Sequence, residues 1–278
     1  MKKLLKAFFS IVPFKRQIFK VLRFFWVPSP NIFQHLYFRG PFTTSLPDGK
    51  KFNLYADKLQ FENELFWSGI TQCWEQTSLP LWIDLCKDAD VVFDIGAQSG
   101  IFSVITRTVN KNCDIHTFEP TDRFHKHLIK NKKVNNYDFN CQKIAISNVT
   151  GTFDVETVWQ EDKKVSTITL DDYIEQNGIT KIDLLKVDVD FHEIKVAEGF
   201  KKYFKKFQPT VLIEVLSDEI AQGIEKHWMT QELGYLVYSI SEKAGTIRKM
   251  PNMQKRGDNM NFLLCKKEVA LKLNLPLT

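Results

Sequence analysis

Residues 91–100 read VVFDIGAQSG, and this stretch constrains the chain more than any other. Val91, Val92 and Phe93 form a short apolar run of the kind buried on both faces of a parallel sheet. Asp94 ends the run. Gly96 and Gly100 border a turn whose missing side chains let a ligand approach the backbone, and Ile101, Phe102, Val104 and Ile105 continue at helical spacing. Strand, glycine turn and helix in that order suit a nucleoside-like ligand at the carboxyl edge of a sheet.

Beyond Gly100 the pattern predicts strands at 115–119, 139–146, 184–188 and 210–215, with helices at 122–133 and 218–232 between them. An added hairpin (152–158, 165–170) and a closing pair of strands (235–239, 261–265) complete a doubly wound α/β domain spanning 91–278. Residues 41–90 read as a hairpin around Pro47-Asp48-Gly49 followed by two helices, a cap over the domain entrance. Its aromatics Phe61, Phe66, Trp67, Trp74 and Trp82 fit packing better than ligand contact. His125 and His127 read as exposed positions on the helix after Glu119.

Residues 1–40 form a separate arm. Of the chain's formal charge of +5, residues 1–47 hold eight Lys or Arg and no acid, which leaves −3 for the rest. The main domain therefore carries no electrostatic signature of nucleic-acid binding. No apolar run reaches the ~18 residues that span a bilayer, and Pro13, Pro28 and Pro30 interrupt what there is. Ile18, Leu22 and Phe25 line one helical face and Arg16, Lys20 and Arg23 the other. Two readings stay open: an amphipathic helix lying on the inner face of an anionic membrane, and an arm packed on its own domain or a partner. Five widely spread cysteines without C-x-x-C spacing suggest neither disulfides nor zinc, and fit a reducing cytoplasm.

DIGAQSG, Phe118-Glu119-Pro120 about 25 residues after Asp94, Leu128 and Asn131, Thr169-Leu170-Asp171-Asp172, and Lys186-Val187-Asp188-Val189-Asp190 with Glu193 and Gly199 occur in one ordered set. Together they resemble the FkbM family of S-adenosylmethionine-dependent methyltransferases, over roughly residues 60 to 240. The resemblance implies a Rossmann-like class I methyltransferase sheet, mostly parallel with its last strand antiparallel, and O-methylation of a hydroxyl on a sugar, glycan or related metabolite.

On this reading Asp94, Gly96, Gly100 and Glu119 bind S-adenosyl-L-methionine. Glu119, at the end of the second strand, accepts from the ribose hydroxyls. Asp94 orients the amino-acid end, unless it merely caps its own turn. Glu119→Ala and Gly96→Val should each weaken cofactor binding with little loss of folding. Asp188, Glu193 and His192 are the candidate catalytic residues, His192 also fitting a solvent-facing histidine at a helix start. Phe191 stands where similar proteins have glycine. Two alternatives remain: a non-catalytic binding member of the fold, and a glycosyltransferase in which Asp188-Val189-Asp190 holds a metal. The alternating apolar residues favour a plain strand end, so no metal is expected.

Overall fold

A computed structural model describes residues 13–154, 164–255, 257 and 260–277. Its strands are β1 (Arg39–Ser45), β2 (Lys51–Asp57), β3 (Val91–Ile95), β4 (Asp114–Phe118), β5 (Asn140–Gln142), β6 (Ala145–Ile146), β7 (Gly151–Asp154), β8 (Lys164–Ile168), β9 (Leu184–Val187), β10 (Thr210–Glu214), β11 (Leu236–Ser241), β12 (Thr246–Met250) and β13 (Asn261–Cys265). Eight of them form the central sheet in the order β12-β11-β13-β10-β9-β3-β4-β5. Neighbours from β5 to β10 are parallel, while β13 runs antiparallel to both β10 and β11. The class I methyltransferase sheet expected from the sequence is thus present, its last strand inserted antiparallel.

Alternation along the strands divides the core into two layers. Val92, Ile115, Leu184, Leu212 and Leu263 face one layer, and Phe93, Ile95, Leu185, Val187 and Ile213 the other. The first layer also contains Phe52, Leu54, Phe66, Trp67 and Trp82, so the hairpin β1–β2 and the helices Gln60–Ser68 and Ser78–Cys86 are part of the core. Asn131 makes this junction specific. Its side chain accepts from Tyr55 N at 2.7 Å and donates to Ser99 O at 2.8 Å and to the buried Glu62 at 3.3 Å.

Three local expectations change. Residues 139–146 are two strands in different sheets, because the chain leaves β4 after Gln142 and Ala145 pairs with Thr167 instead. His127 is buried, because helix Asp122–Val134 packs its face against β2 and sets the ring 3.9 Å from Asp57. The first described helix, α1 (Lys15–Phe25), points Phe19 and its arginines Arg16 and Arg23 at the domain and leaves Ile18 and Phe25 in solvent. Residues 155–158 of the expected hairpin strand and the segment 1–12 lie outside the described residues.

Candidate active site

Two neighbouring edges of the sheet carry the sequence-predicted residues. At the first, the Gly96 and Ala97 amides both donate to Phe118 O at 3.0 Å, which folds the turn after β3 against the end of β4. Gly96 has φ +77°, and a Cβ there would stand 1.7 Å from the carbonyl oxygen of Asp188. Glycine is therefore demanded by the chain's own packing, and Gly96→Val cannot leave folding intact as the sequence suggested. Gly100, at φ +76°, is the left-handed residue that starts helix Ile101–Val109, and its missing side chain accommodates Leu128.

Asp94 is fully buried. Its Oδ2 accepts from Ser103 N at 3.1 Å and Ser103 Oγ at 2.7 Å, while Oδ1 has no partner among the described residues. Burial raises its pKa, against the pull of the Lys186 charge. Half of the carboxylate thus caps the following helix, and half is left to be satisfied. Glu119 accepts from Thr121 N (2.9 Å) and Thr121 Oγ1 (2.7 Å) on one oxygen and from Gln98 N (2.9 Å) on the other. Burial pushes its pKa up to about 7 in spite of those donors. A carboxylate offers about four acceptor sites, so capacity remains.

The second edge lies one strand over. Register pairs Asp94 on β3 with Lys186 on β9, and Lys186 with Leu212 on β10. Glu214, the last residue of β10, lies within electrostatic reach of Asp188 and Lys186, and burial raises its pKa. Lys186 donates to Asp188 at 2.7 Å and lies 4.5 Å from the Phe102 ring centroid. Burial works against its charge, yet Asp188, Glu75 and Asp94 outweigh it and hold the pKa above the ordinary lysine value. Glu75 completes the group from the cap. Its flanks are fixed by Trp74 N on Glu64 (3.1 Å) and Thr77 N on Glu242 (2.7 Å). Its own Oε2 is buried without a partner among the described residues, and burial carries its pKa up to about 8.

Glu193 and His192 sit differently from Asp188. Glu193 is fully buried; Oε1 accepts from Val189 N at 3.2 Å, Oε2 has no partner among the described residues, and burial moves its pKa up to about 7. The carboxyl braces the 189–193 turn. The His192 ring is turned toward Ser147, with Nε2 3.0 Å from its Oγ, and burial lowers its pKa. Asp188 keeps a third of its side chain accessible. Asp190 and Phe191 are both left-handed, at φ 49° and 75°, and Phe191 is 72% exposed.

Sequence reasoning gave Lys186, Glu75 and Glu214 no role. A lysine inside Leu184-Leu185-Lys186-Val187 was a readable signal, because a buried strand admits a charge only with partners. Nothing local marks Glu75. Among the described residues no cluster of His, Cys, Asp and Glu is arranged to hold a metal ion.

The profile of the Methyltransferase FkbM domain matches residues 94–237, just over half of the chain. No curated protein matches. Similar solved structures include the methyltransferase FkbM from Methylobacillus flagellatus, at 12% identity and TM-score 0.44 over 64% of this chain and 44% of that one. Others are a SAM-dependent O-methyltransferase from Thermotoga maritima (16%, 0.40, 82% and 78%) and the O-methyltransferase from Bacillus cereus in complex with SAH (12%, 0.41, 69% and 78%). This chain therefore corresponds to less than half the length of the M. flagellatus protein.

Proposed function

Because the chain belongs to the FkbM methyltransferase family, we propose that it transfers a methyl group from S-adenosylmethionine to a hydroxyl of a sugar, glycan or related metabolite. The observation that carries the reading is the pair of buried carboxylates around the Gly96–Gly100 turn. Among the described residues Asp94 Oδ1 lacks a donor, and Glu119 has acceptor capacity left after three protein donors. A ligand rich in hydrogen-bond donors, as a ribose diol and an ammonium are, would match these acceptors. Asp94, Glu119 and the backbone of the turn would hold the cofactor, which supplies a methyl group on a positively charged sulfur.

The acceptor side then belongs to Asp188. Transfer to oxygen requires the hydroxyl held in line with the methyl, and most of the rate can come from that positioning. Lys186 fixes one oxygen of Asp188, so the carboxylate is oriented to accept the hydroxyl hydrogen and to help remove it. Glu193 keeps the 189–193 turn in place from within. On this reading residues 41–90 cap a methyltransferase domain of 91–278, and the five free cysteines fit a cytoplasmic setting. The test is calorimetric titration with S-adenosylmethionine, followed by transfer of labelled methyl to a panel of neutral sugars, glycans and amines. Binding with label in base-stable ethers supports the reading. Absence of binding removes it, and label on amines alone moves the chemistry to nitrogen.

A further inference from the structure

A helix docked on a globular core turns its apolar stripe inward. Helix α1 does the reverse. Phe19 is its buried side chain, packed on the rings of Phe38 and Trp67, and Leu22 lies partly covered beside it. The rest of the inward surface is cationic. Arg16 donates to Pro41 O at 3.1 Å, and the half-buried Arg23 guanidinium lies 5.3 Å from the Phe66 ring centroid. These contacts spend two charges on holding the helix to the domain, and they fix which side faces out.

The outward side is apolar. Phe14, Ile18, Val21, Phe24, Phe25 and Trp26 are all exposed, Phe24 and Phe25 by 84% and 78%. Single exposed apolar residues are ordinary, but of the thirteen large ones exposed among the described residues eight fall between 14 and 32. So dense a patch needs a partner.

The charges around it select one. Lys20 is exposed within the patch, and the first 47 residues contain no acid, whereas the remaining chain is net negative. A second copy of this chain would bring two cationic, acid-free arms together and is disfavoured. Anionic phospholipid satisfies both features at once, taking the phenyl rings below its headgroups and the lysine at its phosphates. Eleven residues of helix are about 16 Å long, too short to cross ~30 Å of hydrocarbon, so the helix lies flat. We infer that the outward face of α1 is a docking surface for an anionic phospholipid bilayer, presented apolar side first because Arg16 and Arg23 clamp its other side to the domain. The inference is independent of the methyl-transfer reading, since it rests on no residue of that site.

Flotation of the full chain on vesicles of phosphatidylcholine, with and without phosphatidylglycerol, tests it. Binding is expected only with the anionic lipid and should weaken with salt. Phe24→Glu/Phe25→Glu should reduce binding roughly tenfold or more with unchanged melting temperature, because both rings are in solvent. Lys20→Glu should weaken binding to a smaller degree. Deleting residues 1–12 should leave binding dependent on Phe24 and Phe25. The proposal is overturned if the full chain ignores anionic vesicles, or if the double variant floats like the parent. It is equally overturned if light scattering shows a dimer that the double variant dissolves while vesicle binding is absent.

Discussion

The edge around Gly96 and the edge around Asp188 are adjacent, yet they are built differently. At the first, the left-handed positions that border the turn are glycines with Gln98 (φ 51°) between them, and three backbone amides and two hydroxyls hold Asp94 and Glu119, leaving Asp94 Oδ1 without a donor among the described residues. At the second, the left-handed positions are Asp190 and Phe191, the exposed ring is bulky, and the carboxyls of Glu75 and Glu193 each keep a buried oxygen without a partner among the described residues. The first edge is held mainly by its own backbone and keeps one acceptor open. The second carries a bulky exposed ring on left-handed backbone beside two buried carboxyls, which is where adaptation to a particular acceptor is expected to reside.

The largest effect should come from breaking the seam between them. Even alanine at 96 would place Cβ against the Asp188 carbonyl, a backbone atom that cannot swing away. Gly96→Ala should therefore cost ~3 kcal/mol or more of stability, a size reserved for a few severe mechanisms. A melting curve close to the parent's would show that the two edges are not locked together. Next in size, Glu119→Ala should weaken S-adenosylmethionine binding by ~1.5 to 3 kcal/mol, the range for hydrogen bonds to a charged group. Titration calorimetry reads it, and unchanged affinity would break the assignment of the first edge to the cofactor.

Charge at the second edge supplies a pH-dependent test, smaller per pH unit than either effect above. Burial raises the pKa of Glu75 to about 8, above the ordinary value of about 4.5 in the unfolded chain. A raised carboxyl pKa means that stability is complete below the unfolded pKa and is lost as pH climbs through the folded one. The protein should thus lose up to ~1.4 kcal/mol per pH unit from this group between those limits. Glu75→Gln should flatten that part of the melting profile, leaving the parent and variant closest near pH 4. Parallel profiles across the window would mean that burial does not raise the Glu75 pKa.

How much of this was readable from residues alone follows the same division. Gly96, Gly100, Asp94 and Glu119 carry local signals, a glycine turn after an apolar strand and an acid at the next strand's end, so that edge was legible in outline. Its detail was not, because the Asp188 carbonyl that makes Gly96 necessary comes from 92 residues away. Glu75 and Glu214 reach the second edge from the cap and from β10, and no periodicity connects them to Lys186. The strand alternation located the central sheet, but β12 went unread because Arg248 and Lys249 leave it no apolar run, and residues 139–146 merged into one strand because the two-residue β6 leaves too short a pattern. His127 was misjudged for a related reason: the surface that covers it, β2 with Asp57, lies in a hairpin that the sequence placed only as a cap.

The smallest expected effect on stability decides the most about the second edge. Truncating a core phenylalanine costs ~3 kcal/mol or more, but Phe191 is 72% exposed and has little burial to lose. Its backbone sits at φ 75°, which glycine adopts freely and a bulky residue only under strain of ~1 to 3 kcal/mol. Phe191→Gly should therefore leave the melting temperature unchanged or raise it by a few degrees, even though a large apolar side chain is removed. If the ring is kept at that cost because it contacts the acceptor, the same variant should alter which acceptors are methylated, shifting relative kcat/KM across a panel while S-adenosylmethionine affinity stays put. Melting and acceptor preference read together separate the cases. A large melting loss with an unaltered acceptor profile would make Phe191 a structural residue, and the contrast between a glycine-bordered edge and one bordered by a bulky ring would lose its functional meaning.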